Sequence, residues 1–188
     1  TAQRFNDFGL TGCLNFFRTE FSATKIKVNN GGCEDSLNII SSNGSIGEII
    51  INDAMADAVD IDFSKIDFTS IKVLDAGNDC FDVSGGEYFI SDGLFRNCGD
   101  KGISIGEFSK MNIKKTEVLN ALIGISTKDR SISVVNDFIG TELTVCSEAI
   151  QKKQEFGGAR TMILNLNCNG QIVTDDKSSQ IIERKGEL

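Results

Sequence analysis

Ala58-Val59-Asp60-Ile61, Cys80-Phe81-Asp82-Val83 and Gly102-Ile103-Ser104-Ile105 are one pattern, small-apolar-polar-apolar, repeated at a spacing of 22 residues. Earlier copies stand at Cys13-Leu14-Asn15-Phe16 and Ser36-Leu37-Asn38-Ile39, and looser ones follow at Gly124-Ile125-Ser126-Thr127 and Ala149-Ile150-Gln151-Lys152. From Leu37 through Val59, Phe81 and Ile103 to Ile125 the step is always 22; the flanking steps read as 23 to Leu14 and 25 to Ile150. A fixed period of this length marks a solenoid. Between the quartets lie further alternating apolar residues, Ile66/Phe68 and Ile71/Val73 among them. Alternation is the strand signature, and no stretch carries a sustained helical stripe.

A second column of small residues runs beside the first: Cys33, Ala54, Ala76, Cys98, Ala121, Cys146 and Cys168. Asp53, Asp75, Asn97, Asn120 and Asn167 precede five of the seven, with Gly32 and Val145 the exceptions, which predicts a ladder of amides and carboxyls at a turn. The expected fold is therefore all-β, a right-handed parallel β-helix of about seven to eight coils with a repeat of about 22 residues. Right-handedness follows from the general rule for parallel crossovers. A leucine-rich repeat fails for want of the leucine signature and of a helical segment per repeat. Residues 1–170 read as the β-helix and 171–188 as a terminal coil and polar tail that shields the open end. The first coil, around Phe5 to Phe17, is apolar enough to need an upstream cap or partner.

Composition narrows the chemistry. The 188 residues include no proline, histidine or tryptophan and one tyrosine. Missing histidine excludes Ser-His-Asp and Cys-His catalysis and His-ligated metals. A net charge of −8 argues against nucleic acid, and no apolar run is long enough for a membrane span. The chain begins with Thr rather than Met, which reads as a processed or truncated product. The six cysteines all fall in the small-residue columns and read as inert buried thiols, with Cys146 and Cys168 close enough in the column for a disulfide. The lack of a CxxC spacing argues against zinc.

Functional side chains on such a scaffold must lie on outer faces and corners. One outward column comprises Asn15, Asn38, Asp60, Asp82, Ser104, Ser126 and Gln151; Asp62, Ser84, Gly106, Lys128 and Lys153 lie two residues on. Asp60, Asp62 and Asp82 are candidate calcium ligands, and solvated strand faces are the plainer reading. No other cofactor is implied. At the preceding corner, Asp57, Asp79 and Lys101, joined by Lys128, are candidate catalytic groups, since carboxylates one coil apart can serve as acid and base in glycoside hydrolysis. Turn capping is the alternative for the same corner. Ser104, Glu107, Asp129 and Lys153 are candidate binding residues within a charged strip that also holds Lys152 and Glu155; salt-bridge ladders would explain the strip equally.

Two resemblances bear on these residues. Ala76–Gly86 (AGNDCFDVSGG) and Gly99–Glu107 (GDKGISIGE) resemble the DDC and GHG segments of polygalacturonase-type glycosidases, which are pectin-lyase-like right-handed β-helices. Carried over, the family's NTDG aspartate falls on Asp57, the DD pair on Asn78 and Asp79, the GHG histidine on Lys101, and the RIK pair on Ser126 and Lys128. Three of six positions have changed chemical type, which argues against that hydrolytic mechanism. The series Asp57–Ser64, Gly77–Gly86, Gly99–Ser109, Ile123–Ser131 and Ile150–Ala159 is closer to the β-helix region that accompanies CotH-type kinase-like domains in bacterial surface and secreted proteins, over roughly residues 34–165. That resemblance implies an extracytoplasmic, non-catalytic module with a structural or recognition role, whose partner is a polysaccharide or another domain of the parent protein. The competing expectation is an enzyme acting on acidic polysaccharides as lyase, hydrolase or epimerase, with Lys101 or Lys128 as base. Sugar-binding platforms usually use Trp or Tyr, and the chain has almost none.

Overall fold

The computed structural model describes residues 6–184; Phe5 and the last four residues of the tail lie outside them. The described chain is a parallel β-solenoid of about eight coils with no helix, and so no helix long and apolar enough to cross a membrane. One wall is a ladder of short strands: Gly12–Phe17, Asp35–Ile40, Asp57–Asp62, Phe81–Ser84, Lys101–Gly106, the second halves of Lys110–Lys128 and Ile132–Ile150, and Gln171–Thr174. The other carries Glu20–Gly31, Asn43–Ala54, Lys65–Ala76, Glu87–Cys98, the first halves of the same two long strands, Arg160–Asn167 and Ser179–Arg184. Coils are numbered below by their short strand, in chain order.

Each coil folds for local reasons. In coil three, Val59 and Ile61 point inward from the short wall, and Phe63 turns the corner with φ 51°. Ile66 and Phe68, then Ile71 and Val73, fill the interior, and the alternation slips at Thr69–Ser70, where the long strand bends. Asp75 makes the next corner with φ 65° before Gly77 returns the chain to the short wall. The short side chains of Asn and Asp tolerate this left-handed backbone, so Asp53, Asp75, Asn97 and Asn120 recur there with Asn30. Their amides form the expected ladder: Asn120 donates to Asn97 at 2.9 Å and Asn97 to Asp75 at 2.6 Å.

The core is a stack of aliphatic side chains around Phe68, Phe81 and Phe95, whose rings lie 5.5 and 6.1 Å apart in sequence. Toward the last coils it turns polar. Thr127, Ser133 and Thr161 hydrogen-bond one another inside the solenoid, and Ser147 donates to Gln180 at 2.7 Å. The polar interior explains where the expected register fails. Ile125 pairs with Ser147, not Ile150, so the 22-residue step continues where a 25-residue step was expected. Glu148 and Ile150 therefore occupy the outward positions expected for Gln151 and Lys153. At the left-handed corner of this coil stands Glu142, whereas Asn167 lies in the straight strand opposite Ile139.

Apart from the expected Cys146–Cys168 bond, the cysteines also differ from expectation. None is free: Cys13–Cys33, Cys80–Cys98 and Cys146–Cys168 are disulfides with Cα separations of 5.3, 5.4 and 6.1 Å. Cys146 stands over Gly124 in the quartet column, like Cys13 and Cys80, while Cys33 and Cys168 lie outside both columns. Each bond thus joins the start of a short strand to a residue 18–22 positions on, about one coil away.

Candidate functional site

A cleft of about 910 Å³ opens on the outer side of the short wall and crosses coils three to seven. Its floor carries Asp62 and Asp82 at one end and Lys128 and Asp129 at the other, with Glu107 between them. Strand alternation turns Asp62, Asp82 and Lys128 outward because their neighbours Ile61, Val83 and Thr127 are needed in the core. Corner residues form the rim. Phe63 is 66% exposed, Phe108 is 53% exposed, and Phe156 meets Phe108 edge to face with centroids 5.1 Å apart. Arg130 packs on the Phe108 ring at 5.4 Å.

Lys128 is bent back along the floor. Its Nζ donates to Ser104 Oγ at 2.6 Å, one coil away, and its side chain passes the bare backbone of Gly106. Any side chain at 106 would begin to fill that path, since a Cβ there lies 3.8 Å from Lys128 Cε. The residue is only 7% exposed, yet it makes no ion pair among the described residues. Lys153 instead pairs with Glu107. Burial would raise the Glu107 carboxyl, but its bonds from Lys153 and Ser84 outweigh that and hold it below the usual range. The same contact raises the Lys153 ammonium.

Three of the four candidate catalytic residues, Asp57, Asp79 and Lys101, meet outside the cleft, and Lys128 stands apart from them. Asp57 Oδ1 accepts from Asp79 N at 2.8 Å and Asn78 Nδ2 at 2.7 Å. One coil on, Asp79 Oδ1 accepts from Lys101 N at 3.0 Å, and Lys101 Nζ folds onto Asp79 and Asp100. Asp57, Asp79 and Lys101 are absent from the cleft lining, and only Lys128 reaches it. The corner is a ladder in which each aspartate ties down the backbone of the next coil. Asp129 repeats the device within the cleft, where Oδ1 accepts from Lys152 N at 2.8 Å and Lys153 N at 2.7 Å. Its Oδ2 is buried without a hydrogen-bond partner.

Carboxyls crowd the acidic end. Asn38 donates to Asp60 at 3.0 Å, and Asp60 lies in register with Asp82. Burial, reinforced by Asp62, Asp35 and Asp82, pushes the Asp60 carboxyl up to about 9. Burial and the Asp82 charge push Asp62 up to about 6, and burial does the same for Asp79 against the opposing pull of Lys101. Among the described residues no group of three Asp, Glu, Cys or His side chains that could hold a metal ion is found.

Of the candidate binding residues, Glu107, Asp129 and Lys153 line the cleft, and Ser104 lies beneath Lys128. The sequence reading missed Phe63, Phe108 and Phe156. Phe63 and Phe108 follow a short strand and precede the next run of alternation, so the corner position was their available signal. No family model, curated protein or solved structure matches the chain.

Proposed function

We propose that the protein is a non-catalytic recognition module that binds an extended saccharide chain along the cleft, parallel to the solenoid axis. The observation that carries this reading is the cleft itself, open across five coils with exposed phenyl rings above a polar floor. Ring faces offer apolar stacking to pyranose C–H groups, while Lys128, Asp129 and the floor carboxylates offer hydrogen-bond partners to hydroxyls. An extended polysaccharide advances by nearly the same distance per sugar as the solenoid does per coil, about 4.8 Å. Successive sugars therefore meet successive coils in equivalent positions.

The enzymatic alternative draws less support. Asp57 and Asp79 use their oxygens as backbone caps outside the cleft. An extracytoplasmic setting is supported by the three disulfides, since such bonds persist in oxidising compartments. The resemblance to CotH-associated β-helix regions points the same way.

Isothermal titration with neutral, acidic and amino-sugar oligosaccharides tests the reading. Saturable binding is expected without release of new chain ends, and Phe108→Ala weakens it about tenfold, or 1.4 kcal/mol. Chain cleavage would establish the enzymatic reading instead.

A further inference from the structure

The charges along the cleft do not cancel. Two of its lysines are already matched within the protein, Lys153 by Glu107 and Lys110 by Glu87. Asp62 and Asp82 have neither an ion pair nor a side-chain hydrogen bond among the described residues, although both line the cleft. They are diagonal neighbours on adjoining coils, Asp62 lying opposite Ser84. Asp129 adds an orphan acceptor: the residue is 1% exposed, forms part of the cleft wall and leaves Oδ2 without a donor. A buried unpaired acceptor is costly, so a site built this way calls for a ligand rich in donors.

We infer that the cleft selects saccharide chains bearing free, protonated amino groups, with an ammonium seated by Asp62 and Asp82 beside the exposed Phe63 ring. The inference rests on the saccharide reading above and names its substrate class. An ammonium brings three donors and a positive charge, and an aromatic face attracts that charge as well. Among the described residues no three Asp, Glu, Cys or His side chains group to hold a metal ion, whereas an ammonium can be met by two carboxylates. Mutual repulsion between Asp62 and Asp82 contributes to the raised Asp62 carboxyl, and an ammonium between them relieves it. A uronate chain meets the opposite situation. Among the described residues its carboxylates would find Lys128, Lys152 and the rim's Arg130 outside ion pairs, but at the other end they meet Asp62 and Asp82, on a protein of net charge −8.

The experiment compares hexamers of β-1,4-linked glucosamine, their fully N-acetylated counterparts and a uronate hexamer by calorimetry near neutral pH, where Asp62, raised to about 6, is ionised and a share of the amines keeps its proton. The amine chain is expected to bind about tenfold more tightly than the acetylated one. The Asp62→Asn/Asp82→Asn variant is expected to lose that preference and to bind the amine and acetylated chains with equal affinity. Asp67→Asn, on the exposed face of the other wall, reports general attraction of a polycation and is expected to change nothing. Equal affinity for amine and acetyl chains, preference for the uronate, or an equal loss in Asp67→Asn overturns the inference and leaves the saccharide reading standing. Binding of none of the three removes both. Thermal unfolding of each variant, expected at or above that of the parent protein, separates a lost contact from a lost fold.

Discussion

The ring of Phe63 lies over the backbone of Gly85, the equivalent corner one coil later: a Cβ on residue 85 would sit 2.6 Å from Phe63 Cδ1. Gly85 also adopts φ +64°, so the missing side chain serves two ends, a left-handed turn and a seat for an aromatic rim.

Gly85→Ala is therefore expected to destabilise the protein by about 1–2 kcal/mol and to lower saccharide affinity, because the ring must leave its seat. Adding Phe63→Ala should recover the part of the stability loss due to the clash and none of that due to φ. Denaturant unfolding of the two singles and the double measures that split; purely additive losses would show that the ring and the glycine are not coupled.

Asp57→Ala removes the acceptor for two donors at the coil corner, and a cost of about 1–2 kcal/mol is expected. Asp57→Asn keeps an acceptor oxygen for the Asp79 amide and should recover much of that loss. Neither change should alter saccharide affinity, measured by calorimetry. A large affinity loss in the Asn variant at unchanged stability would place Asp57 in the binding machinery after all.

The pH dependence has a defined sign. Asp35, Asp62 and Asp79 rise from 3.8 to about 6 on folding, and Asp60 to about 9. Between the unfolded and folded values the native state holds more protons, so their contribution makes stability fall as pH rises from about 4 to 6, and Asp60 prolongs the fall toward 9. Asp60→Asn keeps an acceptor for Asn38 without the charge. It should raise neutral-pH stability by about 1–2 kcal/mol and flatten the decline, as thermal melts across pH will show.

Calcium titration of the same melts probes the carboxyl patch. With Asp60, Asp62 and Asp82 spread over two coils, the melting temperature is expected to stay constant. A saturable rise abolished by Asp82→Asn would mean that the three carboxylates close on the ion.

Reduction should weaken the solenoid along its whole length, because the three disulfides lie near its two ends and its middle. Each closes a loop of about 20 residues, worth about 3 kcal/mol in the chain-entropy account. The Cys80→Ser/Cys98→Ser variant, compared with the oxidised parent in denaturant, is expected to lose about that much.

Legibility differed by the range of the interaction. Leu37, Val59, Phe81, Ile103 and Ile125 announce the period because a parallel solenoid must place an apolar side chain inward at the same point in every coil. Ser147 broke that code. The interior had become polar enough to accept a hydroxyl bonded to Gln180, so matching apolar residues led to Ile150, three positions too far. The slip carried Cys146 into the wrong column; its bond to Cys168 was still legible, but those of Cys13 with Cys33 and Cys80 with Cys98 were not. Lys153 remained a cleft residue despite leaving its expected column, because its side chain reaches Glu107 from the following turn.

By itself, the sequence determined the strands, the 22-residue coil and the Asx turns, since alternation and turn preference are properties of a few neighbouring residues. Tertiary structure alone decided which carboxylates became caps and which were left facing a cleft. Asp57 and Asp82 are chemically identical and lie 25 positions apart, yet one meets the amide of the next coil and the other meets none. That difference depends on where each residue stands relative to the adjoining coil, and register across coils forms only when the chain has wound upon itself.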